Sequence, residues 1–196
     1  MRALARVIFC LWLFYQVQYS ETNLIYKWVN LECNVNPKRV ENVSCRIKAI
    51  NWNKAVAIMD CDLKQPLYKI ISHVQVFKRD YSNKYQPFLI NFEHNFCDVI
   101  AKRNFNVYGV IALKLLKRFS NVNHSCPLEG HMQAFDLSLD PKLLPRWPLG
   151  VYKISIRLKD QMDATQAIEH VGDINAYFQS MEVVNMTRRN QKPKRT

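Results

Sequence analysis

The sequence predicts a mainly β protein, a two-sheet β-sandwich with one or two helices inserted after the fifth strand. Three observations lead to this prediction. Apolar and polar residues alternate in about eight short segments, which is the pattern of strands with one buried face. One other stretch has apolar residues at helical spacing. The 196 residues suit a single domain, and short alternating strands in this number are typical of two packed sheets.

The predicted strands lie on both sides of the helical stretch. In the first of them Val29, Leu31 and Cys33 are predicted to share one face. The strand at 152–158 alternates most regularly, with its apolar residues facing inward and Lys153 and Arg157 facing outward. The predicted strands lie around residues 29–33, 43–49, 55–63, 70–78, 85–93, 135–139, 152–158 and 174–178.

The helical stretch covers residues 98–119. Lys114, Lys117 and Arg118 crowd its C-terminal end, where the helix dipole favours cations. Asn104 or Asn106 is a candidate N-cap. The apolar residues at helical spacing include Val107, Val110, Ile111 and Leu115.

Both ends of the chain are predicted to lie outside the domain. Residues 1–20 read as a signal peptide, because Arg2 and Arg6 precede an apolar run at 7–15 that is too short to span a bilayer of about 30 Å. A membrane anchor and a buried N-terminal helix are the alternatives. Residues 188–196 carry five Lys or Arg and read as a solvated, disordered basic tail. A single domain at 21–187 lies between them.

Export predicts disulfides and glycans. Without the signal peptide five cysteines remain, so that one is unpaired or bridges to another chain. The remaining cysteines are Cys33, Cys45, Cys61, Cys97 and Cys126. Three Asn-x-Ser/Thr sequences predict a secreted, extracellular glycoprotein. Their acceptors are Asn42, Asn123 and Asn185.

Several segments together carry a resemblance. They are Asn-Leu-Glu-Cys at 30–33, Cys-Arg-Ile-Lys-Ala-Ile-Asn at 45–51, Tyr-Gln-Pro-Phe-Leu-Ile-Asn at 85–91, Cys97, Ser-Asn-Val-Asn-His-Ser-Cys-Pro at 120–127 and Pro-Leu-Gly-Val-Tyr at 148–152. In this order they resemble a family of small secreted insect proteins, expanded in flies, that carries a domain of unknown function. That family is similar to the chemosensory B proteins, and both are grouped with the lipid-recognition (ML) and ganglioside-activator sandwiches.

The resemblance implies an immunoglobulin-like, ML-like sandwich whose sheets part to hold an apolar ligand. It also implies that Cys33, Cys45, Cys97 and Cys126 are the family cysteines, and it leaves Cys61 as the odd thiol. The strand order is compatible with Cys33–Cys45 and Cys97–Cys126 pairs. Four cysteines allow three connectivities, and the sequence does not choose among them.

We therefore expect a secreted, non-enzymatic binding protein for a small hydrophobic ligand, without cofactor or metal, and the resemblance suggests a role in chemosensation. For each residue the alternative is ordinary sandwich core. The predicted lining residues are Phe88, Ile90, Phe92, Phe135, Leu137, Tyr152, Ile154, Ile156, Leu158 and Phe178.

Two other functions stay open. One is a secreted interaction protein with a filled core, acting through its surface on an extracellular receptor, in which Cys61 bridges two chains. The other is a cationic protein acting at an anionic membrane surface, suggested by the formal charge of +12. The export signal and the spread of the positive residues argue against nucleic acid as a partner.

Catalytic and metal-binding alternatives have weaker support. His124 and Cys126 form the residue pair of a thiol enzyme, yet export favours a disulfide at Cys126. His124, Cys126 and His131 lack the spacing of a closed metal site. Asp60 and Asp62 share one face of a strand, where alternating acids usually mark the solvent side.

Overall fold

A computed structural model describes residues 24–101, 107–122, 124–161 and 167–183. The predicted signal peptide at 1–20 and the predicted tail at 188–196 lie outside these ranges. The candidate helix caps Asn104 and Asn106 and the predicted glycosylation sites Asn123 and Asn185 also lie outside them. Among the described residues, no helix is both long and apolar enough to cross a membrane.

The order of strands and helices along the chain agrees with the order predicted from the sequence. The strands are β1 (Leu24–Val35), β2 (Val40–Asn51), β3 (Lys54–Leu67), β4 (Ile70–Arg79), β5 (Tyr85–Asn95), β6 (Leu128–Leu137), β7 (Gly150–Asp160) and β8 (Glu169–Glu182). The helices are α1 (Phe96–Ile100) and α2 (Val107–Phe119). Both helices follow the fifth strand, as predicted.

The strands form two antiparallel sheets, which confirms the predicted two-sheet sandwich. The five-stranded sheet has the order β1-β8-β7-β4-β5, and the three-stranded sheet has the order β2-β3-β6. Side chains from both sheets meet in common apolar clusters, so the sheets pack face to face. This arrangement leaves β1 and β2 at one pair of edges and β5 and β6 at the other.

One end of the sandwich has an aromatic core, the aromatic cluster, made of Tyr26, Trp28, Trp147, Tyr152 and Phe178. The rings of Tyr152 and Phe178 stack with centroids 5.1 Å apart, and Trp147 contacts both at 5.0 and 5.6 Å. The Trp28 indole donates a hydrogen bond to the carbonyl oxygen of Leu137 at 2.8 Å. Burial raises the pKa of Tyr152 to about 12, so this phenol stays neutral.

A bulge near the start of β1 overturns one predicted face. The pairing of β1 with β8 shifts register between Trp28 and Asn30, and the alternation therefore resets. Trp28 and Leu31 are buried, whereas Val29 between them is 52% exposed. The prediction that Val29 shares a face with Leu31 and Cys33 is wrong.

A second bulge, on β6, overturns the predicted position of Phe135. The pairs Ala57–Leu137 and Met59–Ala134 leave two β6 residues, Phe135 and Asp136, opposite one residue of β3. Asp136 adopts a positive φ of 47° at this point. Phe135 is consequently 51% exposed, and the prediction that it faces inward is wrong.

Two disulfides tie the sandwich at both pairs of edges. Cys33 of β1 is bonded to Cys45 of β2. Cys97 of α1 is bonded to Cys126, which lies two residues before the start of β6. This is the connectivity with which the strand order is compatible, out of the three that the sequence leaves open. Among the described cysteines, Cys61 is the free thiol.

Candidate functional site

One row of side chains crosses the middle of the inner face of the five-stranded sheet. Cross-strand pairing places Ile156 of β7 between Val74 of β4 and Ile174 of β8. Val74 in turn pairs with Phe92 of β5, and Ile174 pairs with Cys33 of β1. The five residues come from the five strands of the sheet, and we call them the median row.

All members of the median row are only partly buried, although β7 and β8 are interior strands of the sheet. The neighbouring row on one side includes the buried residues Val76, Ala176 and Leu31. The row on the other side includes buried Ser72 and Gly172. The residues at the centre of the inner face are thus less completely buried than Val76, Ala176, Leu31, Ser72 and Gly172 beside them.

The interior contains two separate apolar clusters. The aromatic cluster occupies the end of the sandwich near the β2–β3 turn. The second cluster, at the opposite end, contains Val40, Leu67, Ile70, Ile100, Val122, Leu128 and Val171. Three members of the median row, Cys33, Phe92 and Ile174, pack against the first of these clusters, on the side that faces the second.

The three-stranded sheet contributes adaptable side chains opposite this row. The Cys33–Cys45 disulfide connects the median row to β2 of the other sheet, where Cys45 pairs with Met59 of β3. Two residues further along β3, Cys61 pairs with Met132 of β6. Met59, Cys61 and Met132 are all partly buried and pack against the two clusters. Unbranched thioether side chains adapt to differently shaped neighbours.

Cys61 is partly buried and packs against the second cluster. Its neighbours Asp60 and Asp62 bond to polar residues on the other face of β3. Burial, and then the negative charges of Asp60 and Asp62, raise the pKa of the Cys61 thiol. A thiol with a raised pKa is a weaker nucleophile near neutral pH.

The ten predicted lining residues fall into four groups. Phe92 and Ile156 belong to the median row, and Ile154 and Leu158 flank it on β7. Phe135 lies outside the interior, as described above. The remaining five belong to, or pack against, the aromatic cluster: Phe88, Ile90, Leu137, Tyr152 and Phe178.

The sequence interpretation did not select Val74, Ile174, Met59 and Met132. Val74 and Ile174 lie in segments that were predicted to be strands, but their shared row depends on register across neighbouring strands. Alternation within one strand contains no information about that register. Met59 lies in the predicted strand at 55–63, whereas Met132 precedes the predicted strand at 135–139.

The candidate catalytic pair has a structural role. The Cys126 sulfur is bonded to Cys97, so it is not available as a thiolate nucleophile in this state. His124 Nδ1 lies 2.9 Å from the carbonyl oxygen of Ser125. In the described part of the chain, no group of three or more His, Cys, Asp or Glu side chains is arranged to hold a metal ion.

A polar network covers the outer face of the three-stranded sheet. His131 Nδ1 lies 2.7 Å from Asp62 Oδ1, and Asp60 accepts a hydrogen bond from Gln133 at 3.0 Å. Asn42, the predicted glycosylation site within the described residues, is exposed and donates to Asp62 at 2.7 Å. The hydrogen bonds from Asn42 and then from His131 lower the pKa of Asp62. The hydrogen bond to Asp62 likewise raises the pKa of His131.

This network predicts a linked titration. Replacing Asp62 with asparagine is expected to lower the pKa of His131 toward its ordinary value, measured by the ring-proton chemical shift against pH. The raised pKa of His131 stabilises the fold below the ordinary histidine value, and this contribution is lost as pH rises through the raised pKa. The lowered pKa of Asp62 stabilises the fold above the ordinary aspartate value, and this contribution is lost on acidification. The pair is therefore most effective between the two ordinary values, about pH 4 to 6.5.

Asp173→Asn serves as the control for this titration, because Asp173 pairs with Arg157 and His170 on the other sheet. We expect it to leave the His131 titration unchanged. An unchanged His131 titration in the Asp62 variant would contradict the assigned hydrogen bond.

The fold and the median row together define a two-sheet β-sandwich with partly exposed apolar surface between its sheets. The chain is similar to a family described as "Protein of unknown function (DUF1091)", whose sequence pattern matches residues 72–154. The match runs from β4 to the first half of β7 and includes Val74, Phe92 and helix α2. No curated protein matches this sequence.

Proposed function

We propose that this chain is a secreted, non-enzymatic binding protein that holds a small apolar or lipid-like molecule between its two sheets. The observation that carries the proposal is the partial exposure of the median row at the centre of the inner face. In a uniformly filled sandwich, interior positions on β7 and β8 are the best buried of all. Here Ile156 and Ile174 are less buried than Tyr152 and Phe178 on the same strands.

Binding by this site would be driven by desolvation. Transfer of apolar surface from water contributes about 0.8 kcal/mol for each buried methylene. A chain of about ten methylenes thus contributes about 8 kcal/mol before the cost of association is subtracted. The methionines on β3 and β6 would adapt to the chain, so we expect selection by length and volume rather than by hydrogen bonding.

The test is equilibrium binding of cis-parinaric acid, a fluorescent fatty acid, to the secreted protein. Ile156→Trp is expected to weaken the affinity at least about tenfold, because the larger side chain occupies the space beside Val74 and Ile174. Ser155→Trp places the same indole one residue away on the outer face of β7 and is the matched control. We expect the control to bind the probe like the unmodified chain.

A second variant separates lost binding from lost folding. Val74→Phe enlarges the neighbouring member of the median row by a smaller volume, and is expected to weaken the affinity in the same direction. Thermal unfolding of each variant establishes that folded protein is being compared. Wild-type affinity in both folded variants would contradict the assigned site. Absence of probe binding by the unmodified chain, together with a bare polypeptide mass after purification without detergent, would contradict the function.

The proposal also includes secretion and a role in chemosensation. Two disulfides tie the sandwich, which is typical of proteins that fold in an oxidising compartment. A chemosensory role and an insect origin rest on the resemblance to the chemosensory B proteins described above. Expression in insect cells, with recovery from the medium and a mass decrease after glycosidase treatment, tests secretion and glycosylation. Retention of the chain inside the cells would contradict export.

The second candidate is an interaction protein that acts through its surface on an extracellular partner. It is favoured by large apolar side chains on the outside, among them Trp52 at the β2–β3 turn, Leu89 on β5 and fully exposed Tyr81. Such side chains are common anchors of protein interfaces when they cluster. The binding experiment discriminates between the two candidates, since a filled core takes up no probe.

A further inference from the structure

Helix α2 lies across the gap between β5 and β6, the edge strands on one side of the sandwich. Its C-terminal end is attached to β6, because Ser120 forms a bridge with Ala134 and the Asn121 amide nitrogen donates to the carbonyl oxygen of Gln133 at 3.1 Å. Its N-terminal end reaches β5, where the ring of Tyr108 stacks on Phe92 with centroids 5.9 Å apart and an angle of 15°. The helix thus connects the edge of one sheet to the edge of the other.

Phe92 is also the last member of the median row. The row begins at Cys33, whose disulfide to Cys45 joins the two sheets directly on the β1–β2 side. It ends at Phe92 on the β5–β6 side. On that side, the non-covalent contact between the rings of Tyr108 and Phe92 forms part of the connection between the sheets. An apolar molecule reaching the row therefore meets the Cys33–Cys45 disulfide at one end and the Tyr108–Phe92 contact at the other, where the Cys97–Cys126 disulfide lies beyond the row, past the end of β5.

The helix that carries Tyr108 is weakly packed. Gly109 is its one buried residue among those described, Leu113 packs partly buried against the second cluster, and Val107 and Val110 are exposed. Few buried apolar contacts mean a low free energy of local opening. The Cys97–Cys126 disulfide keeps the ends of this segment together, so a movement of Tyr108 does not require the sandwich to unfold.

We propose that the stacked rings of Tyr108 and Phe92 form the entrance through which an apolar chain reaches the median row. The inference rests on the proposed function and adds the route and the residue that controls the rate. The aromatic ring of Tyr108 leaves Phe92, the chain passes between β5 and β6, and the ring returns. Tyr108 acts on the rates of uptake and release, and the median row sets the affinity.

The experiment is stopped-flow measurement of cis-parinaric acid uptake and release. Tyr108→Ala is expected to raise both rate constants by about three- to tenfold, because it removes the ring contact that holds the entrance closed. The equilibrium affinity is expected to change by less than about threefold, since both rates rise together. Tyr108→Phe keeps the stacking ring, so its rates are expected to lie closer to the wild-type rates than those of Tyr108→Ala.

Tyr81→Ala is the matched control, because it removes an equally large ring from the fully exposed β4–β5 turn. We expect it to leave both rates unchanged. Wild-type rates in Tyr108→Ala, with lost affinity in Ile156→Trp, would overturn the entrance and leave the binding function intact. Weakened affinity in Tyr108→Ala without faster uptake would also overturn it, since Tyr108 would then line the ligand. An unmodified chain that binds no probe would overturn both proposals.

Discussion

Replacing Asp160 with asparagine is expected to lower the free energy of unfolding by about 3–5 kcal/mol. Asp160 Oδ2 lies 2.6 Å from Nη2 of Arg39, and both side chains are almost completely buried. The other carboxylate oxygen accepts the backbone N–H groups of Tyr68 and Lys69, each at 3.1 Å. A neutral amide leaves the guanidinium with only the half-exposed Glu169 as its anion, and it replaces one acceptor oxygen by a donor.

The position of Arg39 explains why this single pair matters to the whole fold. Arg39 precedes β2, Asp160 ends β7, and Tyr68 and Lys69 connect β3 to β4. Arg39 also pairs with Glu169 at the start of β8, again at 2.6 Å. Burial lowers the pKa of Arg39, but the hydrogen bonds to Glu169 and Asp160 outweigh it, so the guanidinium stays charged. The ion pair therefore joins both sheets at the end occupied by the second cluster.

Urea denaturation with both disulfides intact measures this effect. Asp173→Asn is the matched control, because Asp173 pairs with Arg157 at 3.0 Å on the exposed outer face. Screening by solvent limits such a pair to about 0–1 kcal/mol. Equal losses in the two variants would mean that the Arg39 site is as well solvated as the surface, which contradicts its burial.

The strands and helices were predictable because each depends on local sequence. Alternation identifies a strand such as 152–158 without reference to its neighbours, and the change to helical spacing identifies the insertion after β5. Val29 and Phe135 were assigned to the wrong face for one reason. Each lies at a bulge, where the register against the neighbouring strand shifts by one or more residues. A bulge depends on pairing, and pairing is not visible within a single segment.

The candidate site and the buried ion pair could be predicted only in part. Phe92 and Ile156 are predicted as lining residues because each belongs to an alternating sequence pattern, but nothing in their own segments brings them to one row. Arg39 and Asp160 are separated by 121 residues, and each looks like an ordinary surface charge in its own segment. Trp147 lies in the connection between β6 and β7 and was not expected in the core. These features depend on contacts between distant segments, and patterns within one segment do not predict them.

Phe178→Ala is expected to lower the free energy of unfolding by about 3–5 kcal/mol. Phe178 is almost fully buried, and its ring contacts those of Tyr26, Trp28, Trp147 and Tyr152 at centroid distances of 5.1–6.3 Å. Removing the ring leaves a cavity among large, rigid neighbours that cannot collapse to fill it. The measurement is again urea denaturation, with the slope compared between variants to confirm that the same transition is observed.

Ile174→Ala provides the matched comparison, because Ile174 faces the same interior from the same strand but belongs to the median row. Its partial exposure means that less contact is lost, so we expect a cost of about 1–2 kcal/mol. Added cis-parinaric acid should stabilise the Phe178 variant by nearly as much as the unmodified chain, and the Ile174 variant by less, because the proposed site is the median row. Equal stability losses and equal ligand effects would mean that the interior is packed uniformly from end to end. A difference in both measurements would separate the part of the interior that holds the fold together from the part that receives the ligand.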